Sequence, residues 1–307
     1  MNRLFVIVAV GLILAVGFGC GSNEGPVNDG RLSIVATTGM VGDAVKEIAG
    51  DRVDLTVMMG PGVDPHLYKA TKGDVDAIND ADMIFYNGLY LEAKLTDIFE
   101  KMSGQKTVVA IGEAIDSSLL RFPAGAEGHP DPHVWFDLTL WQTAVGKVAE
   151  ALAEQDAANA EYYRANAQAY FDTLSALDEW VQEQINRIPE QQRVLVTAHD
   201  AFEYFGRQYG IEVRGLQGIS TVTEAGLQDI TAMVDFLTDQ KIKAVFVESS
   251  VPRKTIEAVV EGCRSRGHEV VVGGELFSDA MGEGGTPEGT FVGMVRHNVN
   301  TIVESLR

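Results

Sequence analysis

Cysteine is scarce in this sequence of 307 residues, and its two copies, Cys20 and Cys263, form no Cys-x-x-Cys pair. Any metal site must therefore use histidine and carboxylate ligands. Histidine is scarce too, with six copies in the chain. Cys263 falls on the apolar side of a predicted helix, which is typical of a small buried hydrophobic residue.

Positive charge is also in short supply. The chain has 24 Lys and Arg residues against 44 Asp and Glu, a formal net charge of -20, and 46% of its residues are hydrophobic. This composition indicates a globular protein whose acidic surface concentrates cations and repels phosphates and anionic lipid headgroups. It excludes a nucleic-acid binder. A chain of 307 residues is long enough for two cores, so its size favours two lobes.

The N-terminus has the pattern of an export signal. Arg3 precedes an apolar run from Leu4 to Val16, which is too short to span a bilayer comfortably. We predict a signal peptide over residues 1–20. The following segment at 21–30, "GSNEGPVNDG", is typical of a flexible tether.

The end of this signal indicates a lipid anchor. Gly19-Cys20 resembles the lipobox of bacterial lipoproteins, in which the cysteine is acylated and becomes the new N-terminus, although Gly17 and Phe18 depart from that pattern. Plain secretion is the alternative. We expect an exported protein, periplasmic or at the cell surface, that touches the membrane only through lipidated Cys20. Cys263 would then have no partner for an intramolecular disulfide.

The remainder of the chain alternates short β-branched runs with helical patterns, which predicts an α/β fold with parallel sheets and crossover helices. This alternation of strand and helix patterns occurs twice along the chain, so we expect two Rossmann-like lobes. A stretch between them has apolar residues spaced by three and four and ends near Pro189, which predicts one connecting helix of roughly 30 residues, about 45 Å long. The predicted boundaries are 31–155 for the N-terminal lobe, 156–189 for the connecting helix and 190–307 for the C-terminal lobe.

Four metal-capable residues lie just after predicted strands, two in each lobe: His66, His133, His199 and Asp279. Ligands of open α/β sheets bind beyond the carboxyl ends of the strands, so we expect these four side chains to face each other across a cleft between the lobes. Three neutral imidazoles and one carboxylate suit a divalent ion of the zinc type. Each histidine taken alone would more simply be a polar loop residue; the joint pattern favours a site.

Five ordered motifs then make the sequence recognisable. "GVDPHLYKAT", "DPHVWFD", "TAHDAFEYFGRQYG", "VFVESSVPRKT" and "GGELFSDAMG" resemble the receptors of bacterial zinc and manganese ABC importers, a solute-binding family with a rigid connecting helix. The resemblance extends from about Leu32 to Arg307. It implies that His66, His133, His199 and Asp279 are the metal ligands, and that Zn2+ or Mn2+ is bound as cargo.

The resemblance leaves several points open. Glu248 ends a predicted strand and is interpreted as an acceptor for a ligand imidazole, an additional ligand, or a carboxylate bound to local backbone. Dedicated zinc members often have a His-rich loop between the first two histidine ligands, whereas the corresponding "FPAGAEGHPDPH" contains only His129 besides His133. The short loop weakens the assignment of zinc, whereas histidine at position 199 favours zinc. We favour zinc slightly and keep manganese open.

The expected function is capture rather than catalysis: a monomeric receptor, not an enzyme, that delivers its ion to an ABC permease and its cytoplasmic ATPase. Affinity should fall below about pH 6.5, because a ligand imidazole must be neutral. One alternative is a zinc hydrolase with Glu248 as general base, although no HExxH motif occurs. Another is a surface adhesin in which the metal is structural. His268 and His297 are not expected to take part.

Overall fold

The computed structural model of the protein describes residues 30–124, 126 and 128–307. The predicted signal peptide and Cys20 lie outside the described residues, as does all of the predicted tether except Gly30. Within the described ranges, no helix combines the length and the apolar character that crossing a membrane requires.

The first half of the chain forms one four-stranded parallel sheet. Its strands are β1 (Leu32–Ala36), β2 (Val53–Val57), β3 (Met83–Tyr86) and β4 (Thr107–Ala110), in the order β2-β1-β3-β4. Three helices connect them: α1 (Gly39–Ala49), α2 (Lys72–Asp80) and α3 (Thr96–Ser103). The parallel register confirms the predicted crossover connections.

Side chains near the helix ends explain where the early helices begin and end. Thr38 accepts a hydrogen bond from the backbone of Val41 at the start of α1, and Thr71 and Asp74 form a reciprocal capping box at the start of α2. The ammonium group of Lys106 donates to the carbonyl oxygens of Ile78, Asn79 and Ala81, at 2.8, 2.7 and 2.7 Å. It thereby satisfies carbonyl groups that the end of α2 leaves without a helical partner.

The second half of the chain contains two parallel strand pairs. The first pair is β5 (Val194–His199) with β6 (Glu212–Gln217), and the second is β7 (Ala244–Glu248) with β8 (Val271–Leu276). The helices of this half are α6 (Glu203–Tyr209), α7 (Leu227–Gln240), α8 (Lys254–Ser265) and α9 (Phe291–Leu306). Cys263 is fully buried on α8, as predicted.

Two long helices lie between these halves in the sequence: α4 (Leu138–Gln155) and α5 (Ala160–Ile185). The 26 residues of α5 give a length of about 39 Å, shorter than expected at both ends. A 3-10 turn at Ala157–Asn159 precedes it, and it ends at Ile185, before Pro189. The 3-10 turn therefore separates α5 from α4, and α5 ends before it reaches the proline.

The apolar stripe of α5 is buried as the spacing predicts, and it lies against α1, α4 and α9. These contacts belong to one continuous apolar core, which includes Ile34 and Phe85 of the first sheet and Phe291 and Ile302 of α9. Elements from both halves of the chain thus pack on one helix. The division at 31–155, 156–189 and 190–307 stays a prediction.

Candidate metal centre

The structure brings all four predicted ligands together. His199 is the last residue of β5, and Asp279 follows β8. His66 lies in the loop after β2, and His133 immediately precedes the 3-10 turn Val134–Phe136 that leads into α4. One potential ligand atom from each residue lies within 4.8 Å of all the others. The ends of distant strands therefore converge at one point, as expected for an α/β sheet.

Three imidazole nitrogens converge on the carboxylate of Asp279. The Nε2 atom of His199 lies 3.2 Å from Asp279 Oδ2, and that of His133 lies 3.3 Å from Oδ1. His66 Nε2 is 3.8 Å from Oδ2, and the Nε2 atoms of His133 and His199 are 3.4 Å apart. His66 is 4% exposed, His133 and His199 are fully buried and Asp279 is 1% exposed.

Some of these buried atoms have no conventional hydrogen-bond partner. His66 Nε2 and both carboxylate oxygens of Asp279 are buried without one. A buried polar atom without a partner is costly. A cation at the centre of the cluster would satisfy all three atoms at once, so the donor set fits a metal ion.

The segment that contains His133 owes its local conformation to two aspartates. Asp131 Oδ1 accepts the backbone N–H of His133 at 3.0 Å and lies 2.7 Å from its ring Nδ1. Asp137 accepts the backbone N–H groups of Thr139 and Leu140 and so caps α4. Because Nδ1 faces a carboxylate, it bears a proton, and Nε2 points to the centre of the cluster, where it can bind a cation once it has lost its own proton.

Glu248 performs the corresponding role for His199. This residue ends β7, which lies beside β5. Glu248 Oε1 accepts the backbone N–H of His199 at 2.8 Å, and Oε2 lies 2.5 Å from its ring Nδ1. Oε2 of Glu248 therefore holds the ring of His199 through Nδ1 and Oε1 holds its backbone, while Nε2 lies beside Asp279. This contact corresponds to the first interpretation of Glu248 that the sequence left open.

His66 is held by a third aspartate that sequence reasoning did not single out. Asp64 Oδ1 accepts the backbone N–H of His66 at 2.8 Å, just as Asp131 does for His133. The sequence signal was present, because Asp-Pro-His occurs twice and an aspartate often accepts the N–H two residues ahead. The two motifs differ at the second oxygen: Asp64 Oδ2 accepts the hydroxyl of Thr221 at 2.5 Å, from the loop after β6.

Trp135 forms part of the apolar wall beside the cluster. Its fully buried ring lies 5.3 Å from that of His133 at an interplanar angle of 70°, and its indole N–H donates to the Ser278 carbonyl at 3.2 Å. This bond joins the segments that contain His133 and Asp279. The three remaining histidines lie apart from the cluster: His129 stacks on Tyr90, while His268 and His297 contact the carbonyl groups of Ile242 and Glu275.

The electrostatic environment divides the cluster into protonated and neutral imidazoles. Burial lowers the pKa of His133, but the carboxylates of Asp131 and Asp279 outweigh it and raise that pKa to about 9. Burial also acts against protonation of His199, yet the charges of Glu248 and Asp279 raise its pKa well above the usual value. For His66 burial dominates and lowers the pKa to about 3. An arriving cation must therefore displace protons from His133 and His199.

The carboxylate at the centre has the opposite shift. Burial by itself would raise the pKa of Asp279, but the neighbouring His199 and His133 hold it well below its usual value. Asp279 is therefore ionised, and it supplies the negative charge toward which the three histidines point.

A cavity of about 620 Å³ reaches the cluster at His66. Its wall includes Tyr90, His129, Gln217 and Val222. Tyr90 has a left-handed backbone with φ of 71° and stacks on His129 with ring centroids 3.7 Å apart. His129 therefore lies in the wall of the approach to the cluster and is not itself one of its members.

Comparisons with known proteins identify relatives over nearly the whole described chain. A family profile described as "Zinc-uptake complex component A periplasmic" matches residues 34–305. The manganese-binding lipoprotein MntA of Bacillus subtilis (strain 168) is 49% identical over 304 residues, which cover 97% of this chain and 99% of the relative. The zinc-binding protein TroA of Treponema pallidum (strain Nichols) is 47% identical over 300 residues, covering 98% and 96%. The solved structure of the periplasmic zinc-binding protein TroA from Treponema pallidum superposes with a TM-score of 0.88 at 48% identity, covering 90% of this chain and 99% of that one.

Proposed function

Because this chain belongs to the family of zinc-uptake complex component A periplasmic proteins, we propose that it is an exported receptor that captures one divalent transition metal ion and delivers it to an ABC importer. The observation on which the proposal rests is the convergence of three buried imidazole nitrogens on the Asp279 carboxylate. The ion is cargo, so the site must bind it selectively and also release it.

The spacing of the cluster supports this proposal quantitatively. A tetrahedral ion with bonds of about 2.0–2.1 Å holds its ligand atoms roughly 3.3 Å apart. His199 Nε2 agrees with that value, because it lies 3.2 Å from Asp279 Oδ2 and 3.4 Å from His133 Nε2. His133 Nε2 lies 3.3 Å from the other carboxylate oxygen, Oδ1. His66 at 3.8 Å requires a small inward shift. Three neutral imidazoles and one carboxylate would leave one positive charge on the occupied site.

The proposal also includes which of the two metals, zinc or manganese, the site prefers. Imidazole nitrogen favours zinc over manganese at equal availability, so we propose zinc as the preferred ion, with manganese as the second candidate. Relatives of nearly equal similarity are named for each metal. Selectivity in the cell depends on the supply of each metal as well as on the affinity.

The structure argues against a hydrolase. A catalytic zinc keeps an open position for water and needs a general base beside it. Both oxygens of Glu248 are engaged by His199, Oε1 by its backbone N–H and Oε2 by its ring Nδ1, and His133 and His199 are fully buried. Glu248 is therefore poorly placed to activate a bound water. We propose that the protein is not an enzyme.

The partners and location follow from the family. Relatives are named as substrate-binding lipoproteins of metal ABC transporters, so we propose a permease with its cytoplasmic ATPase as the partner. We further propose that the receptor acts as a monomer outside the cytoplasm, attached to the membrane through lipidated Cys20. An adhesin with a structural ion remains the alternative that chelation would reveal, because such a protein would unfold when the ion is removed.

Metal uptake by the host provides the test. Cells that lack this gene are supplied with the wild type, with His133→Ala or with His129→Ala, and accumulation of radioactive zinc and manganese is measured. We expect the wild type and His129→Ala to restore uptake of at least one metal and His133→Ala to fail, with equal protein levels in all three. Restored uptake with His133→Ala would contradict the proposal.

A further inference from the structure

The three histidines of the cluster are anchored unequally. The rings of His133 and His199 are each held from behind by a carboxylate, at 2.7 Å for Asp131 and 2.5 Å for Glu248. In the described part of the chain, the Nε2 atom of the His66 ring lies 3.8 Å from Asp279 Oδ2 and has no hydrogen-bond partner. The position of His66 therefore depends on its backbone, and its backbone N–H is held by Asp64.

Asp64 is in turn held by a residue from the other half of the chain. Thr221 donates its hydroxyl to Asp64 Oδ2 at 2.5 Å, while Asp64 Oδ1 accepts from His66 at 2.8 Å. Thr221 is 5% exposed although the residues that follow it are exposed. A buried hydroxyl that reaches a carboxylate across 157 positions of sequence is a specific tertiary contact, because charge-assisted hydrogen bonds are the stronger kind.

Thr221 belongs to a segment that we name the strap, residues 218–225, which connects β6 to α7 without forming a helix or strand. Ser220, Val222, Thr223 and Glu224 of the strap line the cavity that reaches His66. Val222 is 59% exposed, in contrast to the buried Thr221 between it and Ser220. One side of the strap thus faces the approach to the metal cluster, and Thr221 holds the other side to the loop that contains His66.

We propose that Thr221 is a positioning residue for His66, acting through Asp64, and that this hydrogen bond couples closure of the strap to retention of the bound ion. When the bond is made, the strap lies over the cavity and His66 is fixed within reach of the ion. When it opens, the strap and the least anchored ligand are released together, and the ion leaves through the cavity. This inference rests on the proposed function and identifies the contact that sets the rate of release.

Replacing the hydroxyl while keeping the shape tests the inference. Zn2+ is loaded onto the wild type and onto Thr221→Val, and its transfer to an excess of an absorbing chelator is followed by stopped flow. We expect zinc dissociation to be about tenfold faster in Thr221→Val, the usual effect of one buried hydrogen bond. Thr221→Ser retains the hydroxyl and should release zinc at the wild-type rate. Thr231→Val, a matched change at an exposed threonine of α7 outside the strap and the cavity lining, should also leave the rate unchanged.

A double variant tests the route through Asp64. In an Asp64→Ala background the hydrogen bond is already absent, so adding Thr221→Val should change the dissociation rate by less than about twofold. Unchanged dissociation in Thr221→Val, or equal acceleration in Thr231→Val, would overturn the inference. A loss of thermal stability of the metal-free protein with no change in release would assign Thr221 a purely structural role. Failure of the wild type to bind metal would instead overturn the proposed function.

Discussion

Replacing Glu248 by glutamine removes a negative charge from behind the His199 imidazole while keeping the size of the side chain. In the wild type, Glu248 accepts hydrogen bonds from both the backbone N–H and the ring of His199, at 2.8 and 2.5 Å. Glutamine retains one accepting oxygen, and its amide group must face one of two N–H donors. The imidazole is then less firmly oriented and less basic toward a cation.

The expected loss can be bracketed from the structure. Removal of a carboxylate that orients a ligand histidine typically weakens metal binding by about 10- to 100-fold, or about 1.4 to 2.7 kcal/mol. At neutral pH, weaker binding of the proton on the His199 imidazole partly offsets this loss of metal affinity. Burial lowers the pKa of His199, but the charges of Glu248 and Asp279 outweigh burial and raise that pKa well above its usual value. Glu248→Gln therefore also weakens the binding of the proton that competes with the metal for His199. The loss should therefore be smallest near neutral pH and grow as the pH rises.

Competition titrations with a chelator of known affinity, carried out at several pH values, measure this effect. Glu275→Gln is the matched control, because this partly exposed carboxylate of β8 faces Arg253 at 3.7 Å and not the cluster. We expect Glu248→Gln to lose affinity and to release fewer protons on binding, with Glu275→Gln unchanged in both respects. Zinc affinity of Glu248→Gln within twofold of the wild type at alkaline pH would refute the reasoning.

Further outcomes follow from the same contacts. Ion affinity should rise with pH up to about 9, not only to the 6.5 of an unperturbed imidazole, because the pKa of His133 is raised to about 9. This group alone lowers affinity by about 50-fold between pH 9 and pH 7, and titrations that are flat above neutral pH would contradict the expectation. Asp131→Asn should weaken metal binding about tenfold, because Asp131 orients the ring of His133. Asp116→Asn, at an exposed position, should leave metal affinity unchanged, and calorimetric titration with zinc measures both. Lys106→Met should lower the free energy of unfolding by about 1–2 kcal/mol through its lost carbonyl contacts, with unchanged metal affinity; equal denaturation midpoints would count against this.

Local signals predicted much of the fold and the composition of the cluster. Short β-branched runs between helical patterns indicated the parallel strands, and the rule that ligands bind beyond strand ends placed His199 and Asp279 correctly near the ends of β5 and β8. His133 lies between Pro132 and the 3-10 turn, in the Asp-Pro-His motif that the sequence shows. These features depend on residues close together in sequence, so the sequence alone contains them.

Contacts between distant segments were not predictable in the same way. Nothing near Thr221 in the sequence indicates that its hydroxyl meets Asp64, because the contact depends on how the loops after β2 and β6 meet. The sequence left three interpretations for the role of Glu248. Its contact with His199 exists because β7 lies beside β5 in the fold. The C-terminal end of α5 was placed too late, because the apolar spacing continues beyond the helix through Ile188, a buried residue that is not helical.

X-ray absorption at the zinc edge of the purified protein, loaded with one equivalent of zinc, tests the central claim most directly. The account predicts three imidazole nitrogens and carboxylate oxygen at about 2.0–2.1 Å from the ion, with one imidazole lost in His133→Ala and none lost in His129→Ala. An ion bound by fewer than two imidazoles in the wild type, or an unchanged spectrum in His133→Ala, would contradict it.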